Sequence, residues 1–115
     1  MARILIAEDE LDSQLFFEEA LEGEYELEIV ENGQYLFQSF NENVPDLVIL
    51  DINMPILNGI ETCRLLRDYE QHNDIPIILA SAQASKRVVD DCGATDFIKK
   101  PFTHTELLKL IHQYV

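Results

Sequence analysis

Short apolar runs alternate along the chain with longer stretches in which apolar residues recur every three or four positions. The short runs are rich in β-branched residues and are bounded by turn residues, which is typical of strands. The longer stretches have the spacing of helices with one apolar face. The predicted strands cover residues 4–7, 27–30, 47–50, 75–80 and, as the weakest, 97–98.

A predicted helix follows each predicted strand. Asn58-Gly59 precedes the third helix, and Thr103 and Glu106 have the spacing of a capping box before the fifth. The apolar stripes of the five helices are Leu11, Leu15, Phe16 and Ala20; Tyr35, Leu36 and Phe40; Ile60, Cys63, Leu66 and Arg67, with Leu65 beside them; Val88, Val89 and Cys92; and Leu107, Leu108, Ile111 and Tyr114.

This order of elements predicts an α/β fold: a doubly wound, five-stranded parallel sheet of order 2-1-3-4-5 with helices on both faces. The crossover between strands 4 and 5 has only residues 82–95 or so, close to the minimum of about a dozen. Helix 4 is therefore expected to be short. The 115 residues contain no linker and no internal repeat, so one domain over residues 1–115 is expected.

The net charge of the chain bears on which classes of molecule it can bind. Lys plus Arg number 8 and Asp plus Glu 22, which gives a net charge of −14. Such a surface repels phosphate backbones and anionic headgroups, so we expect neither nucleic acid nor a membrane as a direct partner. Eleven of the acids lie between Glu8 and Glu31. Most of them are interpreted as a solvated face, although acidic surfaces also select partners.

The cysteines and the apolar runs bear on the compartment. Cys63 and Cys92 lack the spacing of a metal site, so reduced, buried thiols are expected. No apolar run approaches the roughly 18 residues of a membrane span. Met1-Ala2-Arg3 leads directly into the first strand rather than into a signal peptide. A cytoplasmic location is therefore expected.

Polar residues follow four of the five predicted strands. They are Glu8-Asp9-Glu10 after strand 1, Asp51 after strand 3, Ser81 after strand 4 and Lys99-Lys100-Pro101 after strand 5. In the predicted order, strands 1 and 3 are neighbours about 4.8 Å apart, so their carboxylates converge. An all-oxygen site of this kind favours Mg²⁺. With a hydroxyl and an ammonium beside it, the edge has the groups of a phosphoryl-transfer site with a carboxylate nucleophile.

From Ile4 to the C-terminus the chain resembles the receiver domain of the response-regulator family, the phosphoacceptor half of two-component signalling. The segments that carry the resemblance are ILIAEDE, LVILDINMP, PIILASA and IKKPF. It implies a flavodoxin-like fold. It also implies a signalling phosphoprotein that assists its own Mg²⁺-dependent phosphorylation and dephosphorylation, rather than an enzyme.

The resemblance assigns the phosphoacceptor and the metal ligands. Asp51 is the implied site of phosphorylation. Glu8, Asp9, Asp51 and the backbone carbonyl of Asn53 are the implied ligands of Mg²⁺. The Asn53 side chain, two residues beyond Asp51, is also implied to flank the path of an attacking water and so to tune how long the acyl phosphate lasts.

The resemblance further assigns the groups that respond to the phosphoryl group. Ser81 is the implied switch hydroxyl, Phe97 the switch aromatic and Lys100 the ammonium that binds the phosphate. Gln83, two residues beyond Ser81, is a second residue that tunes the lifetime. A cis peptide bond is implied between Lys100 and Pro101, the class of bond in which cis costs least.

Several of these residues also have simpler interpretations. Ser81 has the alternative of an N-cap before the next helix, and Phe97 that of a core aromatic. Lys99 is expected in solvent, because alternation along the strand points it away from Lys100. Glu10 is interpreted as an acid favoured by the helix dipole, not as a metal ligand. Solvated side chains without partners are expected for His72, His104 and His112.

Two other functions compete with that of a receiver domain. A haloacid-dehalogenase-type phosphatase also forms an aspartyl phosphate, but it carries a second Asp two residues after the nucleophile. This chain has Asn53 there, and an asparagine cannot protonate a leaving group. No sequence remains for a cap domain either. A degenerate receiver that only docks to partners would lack site residues, and none is missing.

The family also implies the partners. The expected phosphodonor is a sensor histidine kinase or a histidine phosphotransfer protein, and the downstream partner is an unidentified protein. A short helix 4 alters the face through which the family often dimerises, so a monomer or weak dimer is expected. No output domain follows Val115, which favours a stand-alone regulator or phosphorelay carrier, although an excised domain would look the same.

Overall fold

Five parallel strands form one sheet, in the order β2-β1-β3-β4-β5, in a computed structural model that describes residues 1–68 and 74–115. The strands are β1 (Arg3–Ala7), β2 (Glu26–Val30), β3 (Leu47–Leu50), β4 (Ile77–Ala80) and β5 (Asp96–Ile98). The helices of the described residues are α1 (Leu11–Leu21), α2 (Gly33–Glu42), α3 (Gly59–Asp68), α4 (Lys86–Cys92) and α5 (His104–Ile111). The predicted fold class and strand order are confirmed.

The strand bounds follow the apolar runs closely. β3 has the predicted bounds, and β1, β2 and β5 each begin one residue earlier than predicted. β4 begins two residues later, at Ile77. Pro76 has no N–H to donate to a ladder, although its carbonyl still accepts a hydrogen bond from the Val48 N–H at 3.0 Å.

Each face of the sheet has its own apolar core. Leu5, Val48 and Leu50 pack towards α2, α3 and α4, whereas Ile4 and Ile49 pack towards α1 and α5. Because both faces of β1, β3 and β4 are covered, these strands are apolar at nearly every position. Each such buried side chain contributes about 1.5–3 kcal/mol to folding, so these strands are the rigid base of the molecule.

The predicted apolar stripe of α1 is partly wrong. Leu11 and Leu15 are 67% and 45% exposed, and the helix instead buries Phe17, Ala20 and Leu21. Apolar residues lie around much of this helix, so periodicity alone does not select the face that packs on the sheet. The other exposed residues among the predicted apolar positions include Tyr35 and Leu65.

Helix α4 is short, as predicted, with seven residues between the N-cap Ser85 and Gly93, which adopts φ 85°. The side chain of Arg67 secures this region. Its Nε donates to the Gly93 carbonyl at 2.7 Å, and its two Nη atoms donate to the Ile75 carbonyl at 2.8 Å and the Thr95 hydroxyl at 3.0 Å. One guanidinium therefore joins α3 to the end of α4 and to the starts of β4 and β5.

Helix α5 is anchored at both ends. The predicted capping box is present, because the Thr103 side chain accepts the Glu106 N–H and the Glu106 side chain accepts the Thr103 N–H. Beyond the other end, the Tyr114 hydroxyl donates to Asp96 Oδ2 at 2.7 Å. That hydrogen bond, together with burial, raises the pKa of Tyr114 to about 12.

The expectation that the histidines have no partners is wrong for two of them. His104 is exposed but lies edge-on to Phe16, with ring centroids 4.5 Å apart. His112 Nε2 lies 3.3 Å from Glu24 Oε2. His72 lies outside the described residues. The local sequence did not show these contacts because each joins α5 to the α1–β2 region.

The cysteines are buried free thiols, as predicted. Burial raises the pKa of Cys63 to about 12, with the nearby Cys92 thiol adding to the effect, so Cys63 stays protonated. No helix in residues 1–68 or 74–115 combines the length and the apolar character that crossing a membrane requires.

We predict that Arg67→Lys lowers the free energy of unfolding by about 1–3 kcal/mol, because an ammonium cannot reproduce the three bonds of the planar guanidinium. Urea unfolding measures the change. Arg64→Lys is the matched control, since Arg64 lies exposed on the same helix, and it should change stability by less than about 0.5 kcal/mol. Equal effects of the two substitutions would contradict the assigned role of Arg67.

We predict that Tyr114→Phe lowers stability by about 1 kcal/mol at neutral pH, because Asp96 loses its donor. The pKa of Tyr114 is about 12 in the folded chain, above its ordinary 10.0. Its contribution is therefore complete below pH 10 and is lost as the pH rises towards 12. Urea unfolding between pH 9 and 12 should show a smaller alkaline loss for Tyr114→Phe than for the wild type. Tyr35→Phe, at an exposed tyrosine, should leave the profile unchanged; identical profiles for Tyr114→Phe and the wild type would refute the assignment.

Candidate functional site

The carboxyl ends of the strands bring the predicted polar residues to one edge of the sheet. The ladder continues one residue past β3, where the Asp51 N–H donates to the Ala7 carbonyl at 3.0 Å. Glu8 follows β1 directly, and Ser81 follows β4. Lys100 lies two residues beyond the end of β5, and its backbone N–H donates to the Ser81 carbonyl at 3.3 Å. The apolar strands therefore hold these side chains side by side.

Three carboxylates form an acidic cluster at this edge. Glu8, Asp9 and Asp51 each offer an oxygen, and these oxygens lie within 4.8 Å of one another. Glu8 is fully buried and Asp51 is 6% exposed, whereas Asp9 is exposed and leaves the cluster open to solvent. Glu8 Oε2 is buried without a hydrogen-bond partner among the described residues. An all-oxygen donor set with an unsatisfied buried oxygen fits a hard divalent cation such as Mg²⁺.

The ammonium of Lys100 partly neutralises this cluster. Its Nζ lies 2.5 Å from Glu8 Oε1, 3.4 Å from Asp51 Oδ2 and 3.3 Å from Ser13 Oγ. Burial by itself lowers the pKa of Lys100, but the hydrogen bonds and charges of Glu8 and Asp51 outweigh burial and raise it. Lys100 is therefore a permanent cation at neutral pH.

Glu8 has the most perturbed carboxyl of the cluster. Burial raises its pKa to about 7, and the neighbouring Asp51 carboxyl adds to the increase, while the contacts with Lys100 and Ser13 oppose it. The adjacent buried carboxylates of Glu8 and Asp51 carry two negative charges when both are ionised, and the Lys100 ammonium between them supplies only one positive charge. A proton or a metal cation at Glu8 corrects that deficit.

Three further residues shape the site and were not predicted to do so. Gln14 Nε2 donates to the Glu8 carbonyl at 2.7 Å, and Ser13 contacts Lys100. A Cβ at Gly59 would lie 2.1 Å from the backbone oxygen of Asp51, so only glycine lets α3 begin this close to Asp51. In the sequence, Gly59 indicated only where a helix begins. No motif or spacing in the sequence indicated Ser13 or Gln14 as site residues.

The remaining candidates lie near the cluster without joining it. Ser81 is 2% exposed, and its hydroxyl oxygen accepts a hydrogen bond from the Gln83 N–H at 3.3 Å. The alternative that Ser81 caps the next helix is wrong, because Ser85 caps α4. Phe97 is half-buried and packs against the apolar core on the α4 face of the sheet. This partial exposure does not decide between a core aromatic and a switch aromatic. Among the described residues, no hydrogen bond links Ser81 to Asp51.

The neighbours of the site residues agree with the sequence. Lys99 is exposed while Lys100 points into the site, as strand alternation predicts. Glu10 is exposed at the N-cap position of α1, outside the acidic cluster. The peptide bond between Lys100 and Pro101 is cis, as the resemblance implied. The Asn53 side chain is exposed, and its backbone N–H donates to Asp51 Oδ1 at 3.3 Å.

A family model, curated relatives and solved structures all indicate the same family. The family model described as response regulator receiver domain matches residues 4–112. Response regulator ArlR of Staphylococcus saprophyticus is 39% identical over 115 residues, covering 96% of this chain and 51% of ArlR. The chain thus spans about half the length of the curated relatives it matches.

Two solved structures illustrate the likeness of fold. Chemotaxis protein CheY4 of Vibrio cholerae superposes with a TM-score of 0.92 at 27% identity, covering 100% of this chain and 99% of CheY4. The receiver domain of sensor histidine kinase PA1611 from Pseudomonas aeruginosa has a TM-score of 0.89 at 26% identity, covering 98% of this chain and 96% of that domain. In that structure a magnesium ion is coordinated in the active site cleft. With the family model matching nearly the whole chain, this protein belongs to the response regulator receiver domain family, the receiver modules of two-component signalling.

Proposed function

We propose that Asp51 is the phosphoacceptor of this receiver module in a two-component or phosphorelay system. One observation carries the proposal: Asp51 ends a fully buried strand with two other carboxylates within 4.8 Å and the Lys100 ammonium at 3.4 Å. A nucleophilic carboxylate, a cluster that fits a divalent cation and a fixed ammonium are the groups that phosphoryl transfer requires.

In the proposed reaction a carboxylate oxygen of Asp51 attacks the phosphorus of a phosphohistidine. A P–O bond forms while the P–N bond to the donor imidazole breaks, and the imidazole leaves with the electron pair of that bond. The donor is a sensor histidine kinase or a histidine phosphotransfer protein. The rigid position of Asp51 on β3 supports this role, because holding the nucleophile in place removes much of the entropic cost of the encounter.

Glu8, Asp9, Asp51 and the backbone carbonyl of Asn53 are the proposed ligands of Mg²⁺. When bound, Mg²⁺ supplies positive charge that offsets the charge of the phosphoryl oxygens. The orphaned Glu8 Oε2 and the exposed carboxylate of Asp9 support this assignment.

Lys100 is the proposed second counter-charge. Its Nζ lies 3.4 Å from Asp51 Oδ2, so it is within reach of a phosphoryl oxygen carried by that carboxylate. An ammonium fixed before the reaction stabilises developing charge without reorganisation of solvent.

Ser81 and Phe97 are the proposed switch residues. The Ser81 hydroxyl is buried beside the site and now accepts the Gln83 N–H at 3.3 Å. Donation from this hydroxyl to a phosphoryl oxygen would draw the start of the β4–α4 loop towards Asp51, and half-buried Phe97 would repack under α4. A local charge would thereby alter a surface that a downstream protein contacts. The exposed side chains of Asn53 and Gln83 are proposed to flank the attacking water and set the phosphoryl lifetime.

The proposal also covers the domain, the location and the partners of the protein. Residues 1–115 are taken as one receiver domain that acts as a signalling phosphoacceptor rather than as a turnover enzyme. We propose that it works in the cytoplasm as a monomer or weak dimer. Its downstream partner is a protein, and it makes no direct contact with nucleic acid or membrane, which the net charge of −14 supports.

We predict that a small phosphodonor such as acetyl phosphate adds one phosphoryl group to the chain when Mg²⁺ is present. Intact mass spectrometry detects the adduct, which should be absent from Asp51→Asn and from samples treated with EDTA. Asp91→Asn, at an exposed acid of α4, is the matched control and should be phosphorylated like the wild type. An equal adduct on Asp51→Asn would overturn the proposal, and steady release of phosphate from monoesters would indicate a phosphatase.

We predict that Lys100→Met slows phosphorylation of the chain but strengthens its binding of Mg²⁺. The rate of adduct formation should fall on the order of 100-fold, because the transferring group loses a charged donor. Affinity for Mg²⁺, measured by titration calorimetry, should rise about tenfold, because two buried carboxylates lose their ammonium. Lys99→Met removes the same charge from an exposed position and should change neither quantity. Unchanged or weaker binding of Mg²⁺ by Lys100→Met would contradict the competition between the two cations.

A further inference from the structure

Strand β2 is an edge of the sheet, and its outer side is open. The Glu26 N–H donates to the Ala2 carbonyl, and the Val30 carbonyl accepts the Glu8 N–H, both at 2.9 Å, so the backbone groups of these two residues point towards β1. Successive residues of a strand direct their backbone groups to opposite sides. The N–H and C=O groups of Leu27 and Ile29 therefore point outwards, where the described sheet has no further strand.

A groove of about 340 Å³ runs along this open edge, between β2 and α1. Tyr25, Leu27 and Ile29 form its floor, and its wall is formed by Glu18 of α1 and Glu22, the residue that follows α1. Leu27 and Ile29 are only half-buried, although the same face of the sheet is fully covered at β1 and β3. The edge thus combines unpaired backbone groups with an apolar floor and a carboxylate wall.

The charged residues that line the groove, Glu18 and Glu22, are both acidic. Arg3 is the only Lys or Arg among the first 63 residues, and it is already engaged by Glu26 and Glu28. Glu18 and Glu22 are exposed, and no ion pair engages either of them in the described residues. A second copy of this chain would bring the same acids to the groove, so the charge rejects self-pairing and favours a cationic partner.

We propose that the β2 edge is a docking site for an extended, cationic protein segment that adds to the sheet as a sixth strand. The segment hydrogen-bonds to the backbone of Leu27 and Ile29. On the face of the segment that meets the groove, formed by every second residue, some side chains are apolar and pack on the groove floor, and others are Lys or Arg and pair with Glu18 and Glu22. The site lies beyond the acidic cluster that holds the proposed phosphoacceptor, and docking does not require phosphorylation.

The test titrates the ¹⁵N-labelled chain with a short blocked peptide in which valine and lysine alternate along one face of the strand and threonine occupies the other face. Chemical shifts of the amides report where the peptide binds. The largest saturable changes are expected at Leu27 and Ile29, in the wild type and in Asp51→Asn alike. N-methylation of the peptide residues whose N–H groups face β2 should weaken binding about tenfold, as expected for the loss of backbone hydrogen bonds.

Matched variants separate docking from general attraction to an acidic protein. The double substitution Glu18→Gln with Glu22→Gln should weaken binding about tenfold. Glu42→Gln with Asp91→Asn removes two charges from exposed positions away from the groove and should change affinity less than about twofold.

Four results would overturn the proposal. They are equal weakening in both double variants, no effect of N-methylation, equally tight binding of the same peptide with glutamate in place of lysine, and self-association of the chain through the Leu27 and Ile29 amides. The first two would leave only non-specific attraction, the third would exclude charge selection, and the fourth would assign the edge to a second copy.

Discussion

The ion cluster of Glu8, Asp51 and Lys100 is the constraint around which this molecule is organised. Two carboxylates lie almost out of water at the ends of the central strands, which would be strongly unfavourable without a partner. The ammonium that compensates both carboxylates belongs to Lys100, which lies 92 residues after Glu8 and 49 residues after Asp51. The parallel sheet of order β2-β1-β3-β4-β5, with its rigid apolar strands, brings these three segments to one edge.

That compensation is incomplete, and its incompleteness is what suits the site to phosphoryl transfer. Glu8 Oε2 has no partner among the described residues, and the pKa of Glu8 is raised to about 7. A structure selected for stability alone would satisfy or replace such a group. The cluster instead keeps room for more positive charge beside Asp51, the proposed nucleophile, and the apolar strands beneath it supply the stability that the site lacks.

The molecule separates two kinds of surface. Helix α4 and β5 are held by the Arg67 guanidinium, which compensates for a helix of seven residues. On the other side, the segment from Glu8 to Glu31, which includes α1 and β2, carries 11 of the 22 acids, and Leu27 and Ile29 at the β2 edge are only half-buried. With the proposed phosphoryl transfer at Asp51 and the proposed edge pairing at β2, the chain would have two means of choosing partners. They would depend on different physics: bond formation at Asp51 and backbone pairing at β2.

The sequence by itself determined the strands, their order, the short α4 and the residues that follow each strand. These follow from local patterns, such as the unbroken run that ends at Asp51, and from counting residues in a crossover. Tertiary structure alone decided that Leu11 and Leu15 of α1 face solvent, that Gly59 must admit the Asp51 backbone, and that Ser13 contacts Lys100. Periodicity and spacing are properties of neighbours along the chain, whereas these contacts depend on how helices pack against a twisted sheet, which no local pattern encodes.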